Sequence, residues 1–372
     1  MSVSELQTIE HDVLVVGAGG AGIRAAIEAA SKGLSTGLLS KSLLGKAHTV
    51  MAEGGIAAAL GNVDSRDNWK IHFRDTMRGG KFLNQWRMAQ LHAQQAPERV
   101  RELEEWGAVF DRTDDGLISQ RNFGGHRYPR LAHVGDRTGL EIIRTLQDFC
   151  VHQGIDTYME CIALDLLLDG DGKVAGLLGY WRETGRFVLF RAKAVVLATG
   201  GGGKAWRVTS NSWEYTGDGL GMAYRAGAEM IDMEFTQFHP TILYLAGAAR
   251  FLISEVTRGA GAVLRDRTGA AFMESVHSEA ELAPRDIVSR GVFRKMVETG
   301  DTHVYLDFSR VPNPANRFPK LARITGVFGI DLETDLVPVR PAVHYFVGGI
   351  RVDLEGRTSL PGLRATGECA AT

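Results

Sequence analysis

Cysteine is scarce in this chain: Cys150, Cys161 and Cys369 stand far apart, and no pair has C-x-x-C spacing. That excludes a disulfide framework and supplies no iron–sulfur or zinc motif, so electrons collected here would have to leave through another chain. No apolar run approaches the roughly 20 residues a membrane helix needs, and residues 1–10 lack the charged-then-apolar pattern of a signal peptide. The chain is expected in the cytoplasm, soluble or held at a membrane only through partners. Neither charge dominates: 42 basic residues face 44 acidic ones, a formal net charge of −2, which leaves no electrostatic footprint for nucleic acid. Internal repeats and low-complexity linkers are absent as well.

What is present is apolar bulk and glycine. With 372 residues, 44% of them hydrophobic, the chain exceeds the size at which one core stops growing, and two domains are expected. The 45 glycines cluster where a backbone would turn sharply or approach a ligand. Residues 12–16 (DVLVV) read as a strand buried on both faces, residues 23–32 as a helix ending at Gly33, and residues 34–40 as a second strand. Residues 85–106 and 139–153 carry helical periodicity, while residues 194–199 (AVVLAT) form another buried strand. The economical architecture is α/β: a Rossmann-like domain, its parallel sheet covered by helices on both faces, with an inserted α+β capping domain. The proline-bearing stretch of the second half places the insertion at residues 238–343, between residues 1–237 and the returning residues 344–372.

Gly17, Gly19 and Gly22 form G-x-G-x-x-G between the first strand and the helix, the context that gives this motif meaning. The first glycine permits the turn, the second lets backbone N–H groups reach a pyrophosphate, and the third lets the helix approach the sheet. Gly17, Ala18, Gly19, Gly20, Ala21 and Gly22 are thus the candidate dinucleotide cradle. No acid closes the second strand; Ser40 and Lys41 stand there, which argues against ordinary NAD ribose recognition.

Residues 40–61 (SKSLLGKAHTVMAEGGIAAALG) resemble the segment of succinate dehydrogenase and fumarate reductase flavoproteins in which a histidine bonds the flavin covalently. The likeness continues through residues 120–125 (QRNFGG), 136–139 (DRTG), 198–203 (ATGGGG), 216–221 (TGDGLG) and 365–369 (ATGEC), essentially the whole chain. It implies FAD as cofactor, His48 as the covalent tether, and Ser40, Lys41, Thr49, Gly54, Gly55, Asp218 and Glu368 as further cofactor contacts. A helix cap is the plainer reading of Asp218. Two local departures stand beside the tether: Lys46-Ala47 where Arg-Ser is frequent, and Glu53 where glutamine is common. Attack by the imidazole requires its neutral form, and positive charge on nearby Lys46 is expected to favour that form.

The same resemblance implies succinate or fumarate as substrate, His239 (in QFHP), His344 (in VHYFVGG), Ser254 and Phe123 as its binding residues, and Arg285 as the acid and base, with Glu255 and Arg258 as its proton relay. The bland reading of Arg285 is an ion pair with Asp286. A guanidinium is ordinarily always charged, so burial and the second cation at Arg258 must disfavour that charge locally, which predicts an oxidation rate rising steeply with pH. An iron–sulfur protein subunit, and membrane anchor subunits through it, are the implied partners; no metal site is expected in this chain. Family members continue past residue 372, so a C-terminal part is implied to be missing. L-aspartate oxidase, which holds FAD without a covalent bond, is a second reading, and a truncated, non-catalytic flavin-binding module a third.

Overall fold

A computed structural model describes residues 6–122, 124–248 and 250–372. Its central sheet is built around β1 (Gln7–Val16), which pairs in parallel with β2 (Thr36–Leu39) on one side and β9 (Phe187–Leu197) on the other. β6 (Asp156–Tyr158) extends the parallel order beyond β2. The far edge of β9 is shared. Its first half pairs antiparallel with β8 (Val174–Trp181), itself paired with β7 (Cys161–Leu168), and its end pairs in parallel with β16 (Leu363–Ala365).

Side-chain alternation along the strands assigns the two faces. Val15 and Leu38 point to one, where α1 (Gly20–Ser31) and α4 (Thr138–His152) bury Ile23, Ala26, Ile27, Ile143 and Leu146. Leu14, Val16 and Leu39 point to the other, where α5 (Asp218–Arg225) adds Leu220, Met222 and Ala223. The fold is the α/β class expected from the apolar strand runs. The antiparallel β7–β8 excursion was not anticipated, although residues 169–172 (DGDG) punctuate the two apolar runs as a hairpin turn does, with Gly172 N donating to the Asp169 carbonyl.

Three smaller sheets complete the chain. β3 (Ile56–Ala57), β5 (Leu131–Ala132) and β4 (Gln120–Arg121) form an antiparallel ribbon beside the pair α2 (Trp69–Gly79) and α3 (Trp86–Glu105). The side chain of Asn68 caps α2 by accepting from the N–H groups of Lys70 and Ile71. β10 (Met230–Ile231), β15 (Gly349–Arg351) and β17 (Ala370–Ala371) make a second ribbon. The inserted α+β unit is a four-stranded antiparallel sheet in the order β11 (Thr236–Leu243), β14 (Val337–Phe346), β13 (Val304–Asp307), β12 (Val263–Arg265). With α6 (Glu255–Gly259), α7 (Arg285–Thr299), α8 (Pro314–Arg317) and α9 (Pro319–Val327) it encloses a core of its own that includes Leu264, Val292, Leu306 and Val339.

Candidate active site

The glycine loop joins β1 to α1. Gly17 has φ +111°, and a Cβ placed on it would lie 2.2 Å from the Ala198 carbonyl oxygen; one on Gly22 would lie 1.8 Å from that of Gly17. Only bare backbone permits either approach. The first turn of α1 has no side-chain cap at Gly19, so its N–H groups face outward, with Gly20 N donating to Thr49 Oγ1 at 3.2 Å. At the end of β2, Lys41 Nζ donates to Asp218 Oδ2 and to Thr216 Oγ1, both at 2.6 Å, while Ser40 Oγ accepts from Ser42 N at 3.3 Å. Asp218 is not the residue that caps α5: Gly217 holds that position, and the carboxylate serves Lys41 and Thr216.

His48 opens a short turn of 3-10 helix, His48–Met51. The Nδ2 group of Asn211 lies 3.2 Å from its Nε2 and also donates to the His344 carbonyl at 2.7 Å, which fixes the amide's orientation and makes Nε2 the acceptor. Tyr215 packs its ring 4.9 Å from the imidazole and bonds the Glu368 carboxyl, whose Oε1 accepts from Phe346 N at 3.0 Å. Burial pushes the His48 imidazole down to about 4, with Lys204 assisting and Glu214 opposing. Lys46, expected to supply that assistance, does not: its ammonium lies 3.7 Å from the Glu214 carboxylate, and the cation that bears on the ring comes from residue 204. Burial raises Glu368 to about 7 against the pull of Phe346 N–H and Tyr215.

The two histidines of the inserted sheet sit at register breaks. His344 is the extra residue in β14 where Tyr345 faces Gln237 but Val343 faces Phe238, and His239 adjoins a second break in β11 before Ile242. Bulges of this kind re-aim side chains out of the pleat. The two rings lie 5.3 Å apart, and His344 is 6.1 Å from His48, so three imidazoles run from the glycine-loop side into the inserted unit. His239 is fully buried; its Nδ1 accepts from Thr241 N at 3.3 Å, and its Nε2 has no partner among the described residues. Burial, then the Arg285 charge, holds His239 well below the usual imidazole range and His344 at about 3.

Arg285 begins α7. Its Nε donates to Glu255 Oε2 at 2.9 Å and its Nη1 to Gln237 Oε1 at 2.8 Å, so it does not pair with Asp286, which holds Arg290 instead. Behind it, Arg258 Nη2 lies 3.7 Å from Glu255 Oε2, and Arg258 Nη1 donates to the Glu281 carbonyl. The side chain of Arg258 has no exposed surface; burial, reinforced by Arg285 and opposed by Glu255, lowers it to about 10. Ser254 caps α6, its Oγ accepting from Val256 N at 3.4 Å. Phe123 lies outside the described residues.

One cavity of about 580 Å³ collects these groups. Its wall includes residues 17–21, Ser40, Lys41, His48, Thr49, Gly54, Gly55, Asp218 and Glu368 on one side and His239, Ser254, Arg285 and His344 on the other. Gly22, Glu255 and Arg258 stand outside it, the first as helix packing and the other two behind Arg285. Sequence reasoning missed Asn211, Tyr215 and Gln237. Gln237 lay inside the QFHP segment already singled out; nothing local marks the other two, since their partners are more than 130 residues away. Among the described residues no cluster of His, Cys, Asp or Glu is arranged to hold a metal ion.

This arrangement of a bare glycine turn, an uncapped helix and an adjoining cavity suits a flavin dinucleotide, and the chain belongs to the FAD-binding-domain family, whose model matches residues 12–372. FAD is its cofactor. Within that family it stands with the flavoprotein subunits of succinate dehydrogenase and fumarate reductase. It is 42% identical to the matching polypeptide of the fumarate reductase (CoM/CoB) of Methanothermobacter marburgensis, over 98% of this chain and 68% of that one. It is also 42% identical to L-aspartate oxidase of Streptomyces coelicolor, over 98% of this chain and 64% of that one. The solved structure of Mycobacterium smegmatis Sdh1 in complex with UQ1 superposes with a TM-score of 0.86 at 52% identity, covering 98% of this chain and 64% of that one. The chain thus spans about two thirds of the length of these relatives.

Proposed function

We propose that the protein is the flavoprotein subunit of a succinate dehydrogenase or fumarate reductase, interconverting succinate and fumarate and passing electrons to an iron–sulfur subunit. The observation that carries this reading is the cavity wall on which the glycine loop and His48 face a clamp of His239, His344, Ser254 and Arg285. Residues 17–22, Ser40, Lys41, Thr49, Gly54, Gly55, Asp218 and Glu368 would hold FAD, with His48 as its covalent tether. Bound there, FAD supplies the hydride acceptor. The neutral His239 and His344 and the Ser254 hydroxyl orient a substrate carboxylate as hydrogen-bond donors, without competing for its proton. Phe123 is assigned to the same substrate set. The Arg285 side chain, held by Gln237 and Glu255, acts as the base once it has passed a proton to Glu255: its neutral guanidine form takes the proton from the substrate carbon, and Glu255 with Arg258 relays the proton released.

Residues 238–343 act as the cap over cofactor-binding residues 1–237 and 344–372. Among the described residues no helix is long and apolar enough to cross a membrane; on this reading the protein sits at the cytoplasmic face of one through the iron–sulfur chain and its anchor subunits. L-aspartate oxidase is the second reading, favoured by a 42% identity equal to that of the fumarate reductase polypeptide. Turnover with an artificial dye separates the two. Dye reduction driven by succinate, with flavin fluorescence retained by acid-precipitated protein, supports the dehydrogenase; dye reduction driven only by L-aspartate, with all flavin released, supports the oxidase.

A further inference from the structure

Arg258 offers no visible way out for a proton leaving Glu255. Its side chain is wholly buried, and its Nη1 donates to the backbone carbonyl of Glu281, an acceptor with no proton to hand onward. On its other side Glu255 borders an open cleft that Gly124, His126 and Arg285 also line, and a row of imidazoles leads from there to the surface. The loop of residues 124–126 lies directly on Glu255: a Cβ on Gly124 would sit 2.2 Å from Glu255 Oε1, and His126 lines the same cavity as Arg285 and His239. The ring centroid of His126 is 6.4 Å from that of His72 on α2, which is 5.4 Å from that of His92 on α3. Both contacts are edge-on, at 66° and 72°. His72 is buried, only 3% exposed, with Nδ1 unpartnered among the described residues, whereas His92 is exposed at the surface.

We propose that His126, His72 and His92 form a proton relay between Glu255 and bulk water. The inference rests on the function proposed above and adds to it a second exit, separate from the arginine branch. A neutral imidazole accepts a proton at one nitrogen and releases one from the other, and gaps of this size are crossed directly or over a single water. For each succinate oxidised, one C–H bond is lost as a hydride, for which bound FAD would be the acceptor, and the neighbouring carbon loses a proton. That proton passes from Arg285 to Glu255 and along the three rings to water, leaving fumarate. The surroundings keep the rings neutral between transfers: burial and then Arg130 hold His126 at about 4, against Asp75 and Glu255, and burial with Arg130, His92 and His126 holds His72 at about 3. Arg130 is fixed in place by Asp67 at 2.9 Å and Asp75 at 2.8 Å.

The test compares the intact holoprotein with His72→Phe and His92→Ala by dye-coupled succinate oxidation in H2O and D2O, with FAD content measured alongside. The expected result is a kcat lower by about 10²-fold, a larger solvent isotope effect on kcat, unchanged KM and FAD content, and partial rescue of His92→Ala by free imidazole. A merely structural role would lower stability without moving the isotope effect or permitting rescue. His92 is on the surface, so His92→Ala carries the test if His72→Phe fails to fold. An active parent whose His92→Ala variant keeps the parent kcat and isotope effect overturns the relay alone; a parent inert toward succinate overturns the proposed function and the relay together.

Discussion

Replacing Glu255 by glutamine keeps its volume and removes its charge from between two arginines. The carboxylate lies 2.9 Å from Arg285 Nε and 3.7 Å from Arg258 Nη2, and its side chain is 6% exposed, so solvent does little to screen it. Removing one partner of a buried pair costs about 3–5 kcal/mol. Glutamine still accepts one hydrogen bond, which places the expected loss at the low end, about 3 kcal/mol. The kinetic effect is larger: a guanidinium with no proton acceptor behind it loses its acid–base function, worth about 10²–10⁴ in rate. Glu255 does not line the cofactor cavity, so FAD content should not change. Dye-coupled succinate oxidation across pH, run beside a thermal melt, reads both terms. The parent rate should climb with pH, and the Glu255→Gln rate should be lower and flatter. A folded, flavin-loaded Glu255→Gln protein that matches the parent at every pH would refute the reasoning.

Three further outcomes follow from other parts of the site. His48→Ser should retain FAD without a covalent bond and suppress succinate oxidation more than fumarate reduction, because succinate is a weak reductant; equal loss in both directions, measured with a dye and a reduced viologen, counts against the tether's redox role. Gly22→Ala places a methyl 1.8 Å from the Gly17 carbonyl oxygen and should abolish FAD binding in an absorbance titration, with normal affinity as the contrary result. Glu53, at 2.7 Å from Lys320 Nζ of α9, is raised by burial from 4.5 to about 7 despite that partner. Its folded-state pKa exceeds the unfolded one, so its contribution is complete below about pH 4.5 and is lost as pH rises through about 7. The melting temperature of Glu53→Gln should therefore fall less than the parent's across that window, and parallel curves would contradict the assignment.

Local chemistry made part of this site readable from the chain. The strand, glycine turn and helix around Gly17–Gly22 follow from apolar runs and backbone freedom, and the segments holding His48, His239, His344 and Glu368 carry enough neighbouring residues to be matched as units. Other features lie between segments. The Asn211–His48 contact joins residues 163 apart, and Glu53 meets Lys320 across 267. The two bulges that turn His239 and His344 into the cavity depend on the registry of strands about a hundred residues apart. The Lys46 expectation failed for the same reason: adjacency in sequence suggested a cation beside His48, but folding brought Glu214 to that cation and Lys204 to the ring. His126, His72 and His92 had no spacing in common, and only the packing of α2, α3 and the loop after β4 sets them in a row.

The most direct measurement is the visible absorption of the flavin when succinate is added, without oxygen, to the intact natural protein. Bleaching that depends on succinate, is reversed by fumarate and is lost in Arg285→Gln is the expected result. A flavin that stays oxidised with succinate and bleaches only with L-aspartate would contradict a dicarboxylate clamp built for succinate and fumarate.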